Sequence, residues 1–177
     1  MNALSQLSKL VPPPEKASFS AGDWAKVEAQ LGRALPSDYK ELIGLYGSGI
    51  FCSLIDIINP LENDNDALSP WMSAINLLQA WKKTDPNGCQ YSLFPDSPGL
   101  LPCGSYGDVN LISWYTTGEP NDWSIVYFGR GFGCHLLDRV SLTQFLVDFL
   151  EGRSPLVPSI MGQVGKVPRV FKPFRPD

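Results

Sequence analysis

The single histidine, His135, and the four cysteines, Cys52, Cys89, Cys103 and Cys134, are the side chains best suited to nucleophilic or metal chemistry in this chain. A thiol or hydroxyl nucleophile needs a base within hydrogen-bond reach. His135 directly follows Cys134 in an apolar stretch that reads as a strand, and neighbours on a strand point to opposite faces. These two residues therefore cannot form a dyad. The cysteines show no C-x-x-C and no other close pair, whereas zinc sites draw ligands from pairs about two to four residues apart. They read as reduced, mostly buried thiols of a cytoplasmic protein, and spacing alone does not choose among their possible pairings.

Carboxylates are the other candidates. Glu62, Asp64 and Asp66 alternate in a polar run that invites a calcium loop. An EF-hand starting at Glu62 needs glycine at its sixth position and glutamate at its twelfth, where this chain has Ala67 and Ser73. What is left is a solvated acidic loop, or a docking surface for a basic partner. Asp108, Glu119, Asp122 and Asp138 fall on turns, and nothing in their spacing pairs them for glycosidase chemistry. Gly129-Arg130-Gly131-Phe132-Gly133 lies between strands and reads as a hairpin, not a phosphate loop. No catalytic set, metal site or cofactor is expected.

The elements that must position these groups follow from periodicity. Ser20 and Asp23 have capping-box spacing, and Trp24, Val27 and Leu31 then share one helical face before Gly32. Tyr39, Leu42, Ile43 and Tyr46 make a second stripe, opened by Ser37 as cap and closed by Gly47. Residues 50–58 read as one strand, stopped by Asn59-Pro60. Ser69 and Pro70 open a third helix carrying Trp71, Ile75, Leu78 and Trp81. Turn signals at 96–99, 104–108, 118–122 and 129–133 then separate strands over 109–115, 123–128 and 134–137, the texture of an antiparallel meander. Ser141 opens a last helix whose face is Leu142, Phe145, Leu146, Phe149 and Leu150. Leading helices, central strands and a closing helix predict an α+β fold, a twisted and mostly antiparallel sheet flanked by helices. Pro12-Pro13-Pro14 marks residues 1–17 as an N-terminal arm, residues 18–152 form the single domain, and 153–177 read as a basic, Pro-rich C-terminal tail.

With 177 residues, 44% of them hydrophobic and 18% charged, the chain is suited to a packed globular domain without a staple. Its net charge of −4 hides an asymmetry. Residues 85–151 hold eight acids against Arg130 and Arg139, while residues 152–177 hold five bases against Asp177. An acidic body repels duplex phosphate, so nucleic acid is not an expected partner. No apolar run approaches the ~20 residues a membrane helix requires, and the N-terminus lacks the pattern of a secretory leader. Trp114 and Trp123 flank the 118–122 turn, either as core or as an aromatic lip beside carboxylates.

The order Trp24…Val27-Glu28…Leu31-Gly32…Leu35-Pro36-Ser37-Asp38-Tyr39-Lys40…Tyr46-Gly47-Ser48-Gly49…Phe51 resembles the amino-terminal signature of the SUKH superfamily, domains related to a yeast regulator of cell-wall assembly. Asn59-Pro60, Gly99-Leu100-Leu101-Pro102, Gly107-Asp108…Trp114, Gly118-Glu119-Pro120…Trp123 and Phe145…Leu150…Gly152 follow in the same order. The resemblance implies a sheet flanked by helices with no enzymatic role. Many bacterial members look like immunity proteins that bind a cognate toxin, often a nuclease, in the cytoplasm; eukaryotic members are regulatory interaction hubs. The expectation is a non-catalytic protein-binding domain that neutralises a cognate toxin or another basic protein. Its expected contacts are Asp64, Asp66, Asp108, Glu119, Asp122 and Trp123, chosen because turns carry function. The alternatives are a regulatory scaffold that binds through its tail, and a small carboxylate-dependent hydrolase.

Overall fold

The computed structural model describes residues 2–63, 66–107, 110–129, 133–154 and 168–174. Five helices appear in chain order: α1 (Ala3–Leu10), α2 (Trp24–Leu31), α3 (Ser37–Tyr46), α4 (Ser69–Thr84) and α5 (Leu142–Leu150). The strands are β1 (Gly49–Phe51), β2 (Ile55–Ile57), β3 (Leu100–Tyr106), β4 (Asn110–Tyr115), β5 (Ser124–Gly129), β6 (Gly133–Leu137) and β7 (Phe171–Pro173). They form one sheet in the order β6-β5-β4-β3-β2-β1-β7, every pairing antiparallel. The predicted α+β class and antiparallel sheet are what the structure shows.

Alternation along the central strands gives the sheet two buried faces. On β4, Ile112 and Trp114 enter the larger core with α1, α2, α3 and α5, while Leu111 enters a smaller one with Leu78 of α4, Leu100 and Val126. The helices dock with the stripes read from the sequence. Val27 and Leu31 of α2 are buried, as are Tyr39, Leu42, Ile43 and Tyr46 of α3 and the whole face of α5. The polar ends of these side chains are satisfied: the Tyr39 hydroxyl donates to Ile58 O at 2.6 Å and the Tyr46 hydroxyl to Val11 O at 2.6 Å. Such bonds remove the cost of burying a phenol.

Several expectations are corrected. The cap of α2 is Asp23, which accepts from Lys26 N at 3.1 Å, while Pro36 and Leu68 hold the cap positions of α3 and α4 without a side-chain bond. The predicted strand over 50–58 is a hairpin. Cys52 and Ser53 turn the chain with φ of 54° and 57°, so β1 and β2 pair with each other. Non-glycine residues rarely adopt this left-handed region, so the sequence carried no turn signal there. A predicted turn over 104–108 gives way to β3, which runs on to Tyr106 and absorbs Pro102 and Gly104 in a bulge. The N-terminal arm contains α1, capped by Asn2, with Leu7 and Val11 buried against α5. The tail contributes β7, whose Phe171 joins Tyr46 and Phe51 in an aromatic cluster with centroids 4.7–5.2 Å apart. Finally, the four cysteines are not all thiols: Cys89 and Cys134 form a disulfide, and Cys52 and Cys103 are free and buried. That bond spans 45 residues, so no local spacing could announce it.

Candidate partner-binding site

The connection from β4 to β5 folds as a short, self-bonded turn. Gly118 supplies a φ of 73°, Pro120–Asp122 forms a single 3-10 turn, and Asp122 N donates to Glu119 O at 2.9 Å. The Trp123 indole N–H closes the turn on Gly118 O at 3.3 Å. A bond from outside orients it: Ser37 N at the start of α3 donates to Asn121 Oδ1 at 2.8 Å. Opposite lies the connection from β6 to α5, where Arg139 takes a φ of 55° and donates its N–H to Ser124 Oγ at 3.0 Å. The Ser124 hydroxyl in turn donates to Asp138 Oδ1 at 3.3 Å. Between the two connections runs a groove of about 550 Å³ whose lining includes Asn121, Asp122, Trp123, Ser124, Asp138 and Arg139.

The groove walls carry exposed charge on a fixed base. Asp122 and Asp138 line the groove and are exposed, and Glu119, on the same turn but outside the lining, is exposed as well. Arg139 lies 3.9 Å from the Asp138 carboxylate, and with side chains 91% and 74% exposed the pair is weak and solvated, so the groove presents two acids and one base to solvent. Trp123 is 5% exposed, its ring 6.0 Å from that of Trp114. Trp114 continues to Tyr39 at 4.9 Å and Tyr39 to Trp24 at 5.6 Å, so a row of rings braces the groove floor from beneath.

Of the six residues expected from sequence, Glu119, Asp122 and Trp123 therefore come together on one turn. Trp123 contributes there as buried support, not as an exposed lip. Asp66 lies elsewhere, in the turn leading into α4, where its carboxylate accepts from Leu68 N at 3.2 Å. That turn borders a second cavity of about 290 Å³ between α2 and the 60–67 segment. Asp64 and Asp108 lie outside the described residues. Asp138, Arg139 and Ser124 were not among the expected contacts. Asp138 stood in the sequence as one turn acid among several, and only the adjacency of β5 and β6 brings it to Asp122's groove.

Histidine and cysteine chemistry is absent from this groove. His135 is exposed on β6 opposite Tyr127, and Cys134 beside it is tied to Cys89. The carboxyl that is pushed up, Asp56, also lies away from it. Asp56 stands on β2 between Ile50 and Ser105, and burial together with the negative Glu62 pushes its carboxyl up to about 6. A carboxyl raised in the folded state penalises folding as it ionises, so stability falls as pH rises from about 4 through 6. Asp56→Asn is expected to gain about 1 kcal/mol above pH 6.5, after discounting for partial exposure, and nothing below pH 4. Urea unfolding of both proteins across pH 4–8 reads this difference, and a pH-independent gap would refute the cause.

Fold and groove together define a helix-flanked antiparallel sheet domain of α+β class with an open groove bearing Asp122, Asp138 and Arg139 at one end of its central strands. The chain belongs to the SMI1 / KNR4 family (SUKH-1), whose family model matches residues 18–148. No curated protein and no solved structure matches it. Among the described residues, no helix is long and apolar enough to cross a membrane.

Proposed function

We propose that this chain is a non-catalytic protein-binding domain, an immunity protein that holds a cognate toxin inactive in the cytoplasm, with the acidic groove as its docking face. The observation that carries this reading is the set of exposed carboxylates of Glu119, Asp122 and Asp138 displayed on rigid turns in a domain of the SUKH-1 family. Fixed acidic groups suit a basic partner, such as a nuclease whose surface is built to meet phosphate. Complementary charge speeds encounter and imposes orientation. A standard interface takes about 800 Å² from each partner, roughly a tenth of the 9003 Å² surface. That leaves room for the groove and both flanking turns.

The test is co-purification with the product of the adjacent gene, followed by kinetics with a triple charge reversal, Glu119→Lys, Asp122→Lys and Asp138→Lys. The reversal is expected to lower affinity at least tenfold, mainly through a slower association rate, and to flatten its dependence on salt. An unchanged melting temperature shows that the fold is intact, since all three side chains are exposed. Failure to bind or protect against any neighbouring toxin would remove the immunity reading. Binding that ignores the reversal would remove this face.

A further inference from the structure

We infer that the Cys89–Cys134 disulfide is a thiol-operated strap that holds the turn after α4 across the outer edge of β6. Among the described residues β6 is the end strand of the sheet, with no further strand on its far side. The turn at residues 85–90 occupies that side. Cys134 N donates to Gly88 O at 3.3 Å, directed away from β5, and the disulfide joins the neighbouring Cys89 to the same strand residue.

The rest of the connection to β3 is fastened differently. Leu100 N donates to Ser92 O at 2.8 Å, Phe94 N to Leu100 O at 2.9 Å, and the Tyr91 and Tyr115 rings stand 4.9 Å apart. Lys82 also donates to Tyr91 O. Residues 91–94 are therefore held to β3, β4 and α4 whatever the state of the sulfurs. Opening the bond loosens a short turn and one strand edge at the margin of the smaller core, where Cys89 is buried beside Leu78, Leu100, Leu111 and Val126, while the larger core, which contains neither cysteine, keeps its contacts.

The chemistry needs a dithiol reductant of the thioredoxin or dithiothreitol class. Its thiolate attacks the sulfur of Cys134, the less buried of the two residues, and Cys89 leaves as a thiolate that takes up a proton. The reductant's second thiol then attacks the mixed disulfide and releases Cys134. Two protein thiols form, and the reductant carries away its own disulfide. This step rests on the cytoplasmic location in the proposed function, where such a bond is of the transient, redox-responsive kind.

The experiment is native alkylation with mass spectrometry, paired with hydrogen exchange, on the full chain before and after dithiothreitol. The oxidised protein is expected to leave all four cysteines unlabelled, because Cys52 and Cys103 are buried. Reduction should expose Cys89 and Cys134 to label. It should also speed exchange at least tenfold in 85–90 and at Cys134, with 91–94 unchanged. The double variant Cys89→Ser with Cys134→Ser should show the same exchange pattern without reductant. The strap is overturned if Cys89 and Cys134 still take up label when the protein is treated with oxidised glutathione before alkylation, or if the bond resists dithiothreitol in the folded protein. It is equally overturned if reduction changes exchange throughout the chain, or nowhere.

Discussion

Trp114→Ala is expected to remove about 3–5 kcal/mol of stability, a large part of the roughly 5–15 kcal/mol that holds a domain together. Trp114 is 1% exposed at the middle of the sheet, flanked in register by Leu101 of β3 and Ile125 of β5. Its ring is the link between Tyr39 of α3 and Trp123 beneath the groove. Truncation leaves a cavity that α3 cannot collapse into, because the Tyr39 hydroxyl is fastened to Ile58 O and the α3 start to Asn121. Urea unfolding should show a lower midpoint with an unchanged slope, and Trp114→Phe should cost roughly half as much. A loss under 1 kcal/mol would mean the ring row does not brace the core. Because Trp123 leans on this ring, the variant also loosens the docking turn, so exposed acids are the cleaner probes of binding.

Phe171→Ala is expected to cost about 3 kcal/mol, toward the low end for a buried phenylalanine because β7 is short and lies at the edge. Phe171 is 6% exposed and fills the space between Tyr46 and Phe51. Phe174, three residues on and 42% exposed, is the control: Phe174→Ala should stay within about 0.5 kcal/mol. Thermal unfolding of the two variants separates them, and equal shifts would mean that β7 does not contribute to the core. This outcome bears on the scaffold alternative, in which the tail itself captures a partner. Deleting residues 153–177 removes a strand and a core side chain, so lost capture by that truncation would report damage to the sheet. Substitutions at exposed Lys172 and Phe174 test the tail without that cost.

What the sequence made legible is what side-chain periodicity governs. The stripes of α2 to α5 stand in the residue order because burial of one helical face demands them, and β4 and β5 stand out as apolar runs between turn signals. What it hid was decided by long-range pairing or by backbone strain tolerated locally. The β1–β2 turn uses Cys52 and Ser53 where glycine or asparagine would have marked it. Pro102 and Gly104 look like punctuation, yet a bulge lets them sit inside β3. α1 is eight residues long beside three prolines, and it is its packing on α5 that holds it. At the site, the turn carrying Glu119, Asp122 and Trp123 was readable from its Gly and Pro. That Asp138 lines the same groove was not, since only the order of β4, β5 and β6 sets it there.

The pairing of β7 with β1 also fixes an order of events during synthesis. About 120 residues separate the two strands, and at roughly 5–20 residues per second a ribosome takes several seconds to pass from one to the other. Throughout that interval the outer edge of β1 is an unpaired strand beside a half-built aromatic cluster of Tyr46 and Phe51. The β1 end of the sheet can therefore be completed only after Phe171 emerges. Expression yield should consequently be more sensitive to changes at residues 168–174 than their small number suggests.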